Sequence, residues 1–152
     1  MNGIITIPHF RQSKEGHCLP ACGRMALAHL GFDRTEAEIS QILGTEDWGT
    51  PSFAIKRLAS PDIEVSYQEW SISELLAILT AGQPVIAFVR TGFLEYYQED
   101  FAQAVVIVGA NPNKTFWLQD PAQTNGPIEV SWDGLLAAWA EFGYRGAVLT
   151  RK

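Results

Sequence analysis

What most constrains this chain is where its two kinds of periodicity fall. Helical signals dominate the first half, and short apolar runs of strand character dominate the second. From Cys18 to Leu30, the residues Ala21, Met25, Ala28 and Leu30 follow helical spacing, and Gly31 is a natural stop. Pro20 falls in the first turn, where its missing N–H costs nothing. Thr35 with Glu38 forms a capping box that opens a second helix ending at Gly44, with Ile39, Ile42 and Leu43 as its buried face. Thr50-Pro51 starts a short third helix through Leu58, and Ser71 with Glu74 caps a fourth that runs through Leu79 and stops at Gly82. Ile63–Trp70 alternates as a strand does. Val85–Val89, Ala104–Val108, Phe116–Leu118, Ile128–Val130 and Ala147–Thr150 are bounded by turn residues and read as further strands. Ser131 caps a last helix from Trp132 to about Phe142. Helices first and sheet afterwards is the order of an α+β fold with an antiparallel sheet, not of alternating βαβ units.

At 152 residues the chain suits one domain, expected over residues 1–152. Its net charge is −6, from 11 basic and 17 acidic residues, so it lacks the basic footprint that nucleic acid or an anionic membrane surface would need. The N-terminal MNGIITIPHF has neither a positive region nor a long apolar core, so no signal peptide is read there. The longest apolar stretch, around Ala104–Ala110, is too short to span a bilayer. A cytoplasmic protein is the expectation, and no feature specifies an oligomeric state.

Cys18 and Cys22 are the only cysteines, four apart on one helical face, which is poor disulfide geometry. Two free thiols are expected, Cys22 as a core residue. Cys18 lies at a helix N-terminus, where the helix dipole and free N–H groups stabilise a thiolate. This is one way to make cysteine a nucleophile. Gln12, six residues upstream on a polar loop, carries an amide that can donate to an oxyanion beside the sulfur, together with backbone N–H groups at the helix start. His17, Cys18 and Cys22 also raise a metal site, but three ligands from one short stretch without a second cluster fall short of the four that structural zinc takes. Neither metal nor cofactor is expected. The stretch Phe93–Tyr97, with Glu95, Glu99 and Asp100, reads as a surface loop, with a mobile loop over a cleft as the alternative. Trp132 and Trp139 read as the packed face of the last helix.

The stretch QSKEGHCLPACGRMALAHLG resembles the opening of the papain-like cysteine peptidases that process double-glycine leader peptides, the bacteriocin-processing family. That family has Gln, a polar loop, an Asp-Cys-Gly-like core and then a helix. QAVVIVGANPNKTFWLQDP resembles its second half, where His opens a strand of the form His-Ala-Val-Val-Val-Gly and Asp-Pro follows one strand later. EVSWDGLLAAWAEFG resembles the tail of stand-alone members. The resemblance implies a papain-like fold, N-terminal helices packed on an antiparallel sheet, that acts on or binds an extended peptide or protein. It implies that Cys18 takes the nucleophile position, Gln12 the oxyanion donor and Asp120 the residue orienting the imidazole. The histidine position falls on Gln103. Leu19 replaces the usual Gly after the nucleophile, and His17 replaces the Asp before it.

In the mechanism this resemblance implies, the imidazole removes the thiol proton and later protonates the leaving amine. A glutamine does neither at neutral pH. Positioned acid–base catalysis contributes roughly 10²–10⁴-fold, so weak or absent turnover is expected unless another histidine substitutes. His17 adjoins Cys18 but is expected to point away from the cleft, His9 could fold back towards it, and His29 lies far along the helix. Three readings stand: a peptidase of little activity, a pseudo-peptidase that docks peptides, or a thiol-using transferase or redox sensor built on Cys18.

Overall fold

The computed structural model describes residues 3–152. Met1 and Asn2, which the N-terminal reading and the expected domain include, lie outside the described residues. The elements in chain order are α1 (Cys18–His29), α2 (Glu36–Leu43), a 3₁₀ helix (Ser52–Leu58), β1 (Ile63–Glu69), α3 (Ile72–Thr80), β2 (Val85–Arg90), a 3₁₀ turn (Thr91–Phe93), β3 (Ala102–Asn111), β4 (Thr115–Gln119), β5 (Ile128–Ser131), α4 (Trp132–Ala140) and β6 (Arg145–Arg151).

Local chemistry sets most of these bounds. Thr35 and Ser71 each accept from the backbone N–H three residues on, and Glu38 and Glu74 return the bond, so both capping boxes are closed. Gly44, left-handed at φ 70°, ends α2. Two details differ from the sequence expectation. Ile42 is exposed, leaving Ile39 and Leu43 as the buried residues of α2. The segment after Pro51 winds as 3₁₀ rather than α, which sets Ile55 and Leu58, three apart, on one buried face.

The six strands form one antiparallel sheet in the order β1-β6-β2-β3-β4-β5. The last strand enters between β1 and β2, pairing along all of β1 and with Ile86 and Ala87 of β2. This is the expected α+β architecture. Every residue of β2 from Val85 to Val89, and of β3 from Gln103 to Gly109, is buried, so the middle of the sheet is covered on both faces. α1 and α3 pack on both of these strands, and α4 packs on β2. The core includes Met25, Ile107, Phe116, Leu135 and Trp139, each fully buried. Trp139 sits in α4 with its indole N–H on the Arg145 carbonyl at 2.7 Å, and Trp132 stacks on Phe116, so this helix face is packed. N-terminal to α1 the chain lies along the sheet, Ile5 N–H donating to the Val108 carbonyl at 2.7 Å.

Truncating the centre of β3 should cost most. Ile107→Ala, at a fully buried position, should lower the unfolding free energy by about 2–5 kcal/mol in urea titration; a loss near zero would show that the sheet centre is not the core.

Candidate active site

The register of β3 and β4 explains why distant residues meet. Val106 pairs with Gln119. One step further, Asp120 lies level with Val105 and so shares a sheet face with Gln103, two residues away. The Gln103 amide Nε2 donates to Asp120 Oδ1 at 3.0 Å and also to Gln12 Oε1 at 3.1 Å. Gln12 is brought there by its backbone, whose N–H donates to the Pro121 carbonyl at 2.7 Å. Cys18 opens α1, and α1 packs on β3 so that the Ala104 N–H donates to Cys18 Sγ at 3.4 Å. The four residues singled out in the sequence, Gln12, Cys18, Gln103 and Asp120, therefore converge on one place.

The loop between Gln12 and Cys18 is pinned to α2. Ser13 donates through its backbone N–H to Glu36 Oε1 at 3.0 Å and through its hydroxyl to Glu36 Oε2. Gly16, at φ +82°, packs so closely that an added Cβ would sit 2.6 Å from the Asp47 carbonyl oxygen, so only glycine fits. Beside the loop opens a polar hollow of about 640 Å³ lined by Arg11, Gln12, Ser13, Lys14, Glu15 and Ala122.

Asp120 is wholly buried and saturated with donors. Its Oδ1 accepts from Gln103 and from the Ala122 N–H at 2.9 Å. Its Oδ2 accepts from the hydroxyls of Tyr96 and Tyr97, each at 2.7 Å. These two tyrosines belong to the Phe93–Tyr97 stretch expected from the sequence to be a surface loop. That expectation is corrected: the loop reaches into the site. The aromatic pair ahead of the Gln103 strand was the available signal, whereas the Ala104 and Ala122 N–H groups leave no trace in side-chain identity.

The thiol also differs from expectation. The helix start and the N–H groups of Ala104, Leu19 and Cys18 do favour the thiolate, but burial outweighs them and Asp120 adds repulsion, so the Cys18 pKa is raised above its ordinary 9.0. Cys22, fully buried, is raised further, by burial first and then by the neighbouring thiol. Gln12 is turned so that its own amide N–H donates to the Lys14 carbonyl at 2.9 Å. No histidine takes part. His9 folds back, but onto Gln119 Oε1 at 2.6 Å and the Gln123 carbonyl at 2.8 Å. His17 faces Ser40 and Glu36 on α2, and His29 bonds the Gly82 carbonyl at 3.0 Å. Among the described residues, no group of three or more His, Cys, Asp or Glu side chains could hold a metal ion, and no helix is long and apolar enough to cross a membrane.

The site thus sets a helix-borne thiol against a strand-borne amide and a buried carboxylate, on an α+β fold. The model of the Peptidase_C39 like family matches residues 4–147, and the chain belongs to that family. Among solved structures, a protein described as a C39-like peptidase from Bacillus anthracis superposes with a TM-score of 0.83 at 16% identity, covering 100% of this chain and 98% of that one. A double-glycine motif protease from an AMS/PCAT transporter, solved with its leader peptide, gives 0.76 at 15% identity, covering 99% and 95%. The peptidase domain of Streptococcus ComA, a bi-functional ABC transporter in a quorum-sensing pathway, gives 0.77 at 16% identity, covering 97% and 99%. At these identities the superpositions carry the fold alone. A comparison with curated proteins gives no match.

A thiol held protonated by burial should be slow to alkylate. Iodoacetamide labelling followed by intact mass should modify Cys18 slowly at pH 7, with the rate climbing with pH and reaching half its maximum only above pH 9.0; half-maximal reactivity at or below neutral pH would contradict the burial argument. Both thiols hold their protons more tightly folded than unfolded. Their contribution to stability is thus complete below the unfolded value of 9.0 and lost as pH rises through the higher folded values. Chemical denaturation at pH 8 and 10.5 should show the chain less stable at the higher pH, and Cys18→Ala should reduce that difference.

Proposed function

We propose that this chain is a peptidase-like domain that binds an extended peptide but turns it over weakly or not at all, because a carboxamide stands where the family's mechanism needs an imidazole. On this reading Cys18 holds the nucleophile position, Gln12 the oxyanion donor, Asp120 the orienting carboxylate and Gln103 the place of the catalytic histidine. The observation that carries it is the bond from the Gln103 amide to Asp120 Oδ1 at 3.0 Å. A donor N–H from β3 to a buried carboxylate is what an imidazole would supply to its orienter. The amide reproduces that bond and nothing else: it has no basic nitrogen to take the thiol proton and no acidic proton for the leaving amine. The nearby histidine, His9, has both ring nitrogens engaged elsewhere.

The ligand class follows from the family and from the cleft. One solved relative by fold is a double-glycine motif protease in complex with a leader peptide, which supports an extended peptide with small residues at the position facing Cys18. The family match over residues 4–147 supports treating residues 1–152 as one such unit, and the free Cys18 and Cys22 fit a reducing, cytoplasmic setting. A second reading, residual thiol catalysis without a base, draws on the three N–H groups that favour the Cys18 thiolate. Burial opposes it.

Gln103→His should restore what is missing. With a double-glycine peptide, cleavage after the second glycine should rise by about 10²–10⁴-fold over the unmodified chain, and Gln103→His with Cys18→Ala should abolish it. If neither form cleaves or binds such a peptide, the proposal fails. If the unmodified chain cleaves and His9→Ala stops it, the base has been misassigned.

A further inference from the structure

The β2–β3 loop is built as a bracket. Thr91 N–H donates to the Phe101 carbonyl at 2.9 Å, Phe101 N–H to Thr91 Oγ1 at 2.9 Å, and Thr91 Oγ1 to the Glu99 carbonyl at 2.6 Å, which closes the loop at its base. Its far side is tied to α4: Glu95 accepts from Ser131 N–H at 2.8 Å and from Ser131 Oγ at 3.0 Å. Gly134 leaves room for this, since an added Cβ would meet the Glu95 carboxylate and lie 2.9 Å from the Phe93 carbonyl. Between the two anchors Tyr96 and Tyr97 lie ring against ring at 4.8 Å, and Phe101 meets Tyr97 edge-on at 5.4 Å. Both hydroxyls end on the same oxygen of Asp120.

We propose that Tyr96 and Tyr97 are positioning residues which fix the Asp120 carboxylate from the side opposite Gln103 and take up its second oxygen, so that the loop sets both the direction of Asp120 and how strongly it can polarise whatever residue 103 presents. This rests on the reading of Asp120 as the orienting carboxylate. A carboxylate in a buried site needs donors for its lone pairs. Gln103 and the Ala122 N–H serve one oxygen, and the phenols serve the other, so Asp120 is satisfied without a cation. Burial first, and then the charge of Asp120, holds both phenols well above the ordinary tyrosine range, so they remain donors at any physiological pH. The other ionisable groups that feel Asp120 are the thiols of Cys18 and Cys22 on α1; His9, one residue removed, is bound to Gln119 and Gln123.

The two phenols draw on the same charge that would stabilise an imidazolium. In the Gln103→His background, the titration of the introduced imidazole is therefore followed by NMR, with and without Tyr96→Phe and Tyr97→Phe. Each loss of a hydroxyl should raise the imidazole midpoint, by about half to one pH unit. An unchanged midpoint in both single variants, with thermal melting preserved, overturns the proposal. If a phenylalanine variant does not fold, 3-fluorotyrosine placed at 96 or 97 keeps the shape with a more acidic phenol, and the midpoint should fall instead; no movement there overturns it equally. The readout needs no turnover, so a Gln103→His chain that fails to cleave peptide counts against the proposed function and leaves this test standing.

Discussion

The site depends on one buried carboxylate. Asp120 is wholly buried, and among the described residues it forms no ion pair. Its burial is tolerable only because four donors from three separate stretches of chain meet it: Gln103 on β3, the Ala122 N–H just past β4, and Tyr96 and Tyr97 on the β2–β3 loop. An uncompensated charge in such a place would cost several kcal/mol. The same constraint that makes Asp120 tolerable therefore fixes the strands and the loop against one another, and through Gln103 it fixes Gln12 as well. The geometry around the thiol is a consequence of satisfying this group.

In that frame the carboxamide at position 103 is the element that gives the site its character. It is a good donor to two acceptors, and it holds the groove together as an imidazole's N–H would. It cannot cycle a proton. On the proposed reading, a site with this arrangement keeps the structural half of a catalytic apparatus, the part that binds and orients, while the chemical half is absent. The raised thiol of Cys18 points the same way, since burial first, and then the charge of Asp120, makes the sulfur keep its proton. The family membership and the fold are those of peptidases; the proposed function is peptide binding with little or no turnover.

What could be read in the sequence followed the range of the interactions. Capping boxes at Thr35 and Ser71, the stop at Gly44 and the β-branched runs of β2 and β3 are local, and their elements were legible. Ile42 was misjudged because a short helix gives too few turns to tell the face from the edge. The insertion of β6 between β1 and β2 left no local mark, because strand order is decided by pairings some eighty residues apart in the chain. For the site, the Gln12-to-Cys18 spacing and the Asp120-Pro121 pair were visible as a family pattern. The contacts of Tyr96 and Tyr97 with Asp120 were not, since each spans more than twenty residues. A helix N-terminus beside Cys18 could be foreseen, whereas the burial that outweighs it is a property of the assembled fold.

The most direct measurement is a titration of the ¹⁵N-labelled chain with an extended peptide carrying two small residues, following the side-chain amides of Gln12 and Gln103 and the backbone N–H groups of Cys18, Leu19 and Ala104. The account predicts that these resonances move together along one saturable curve, and that the peptide is recovered intact. Resonances that stay still while shifts appear on a distant face, or a peptide recovered in two pieces, would contradict it.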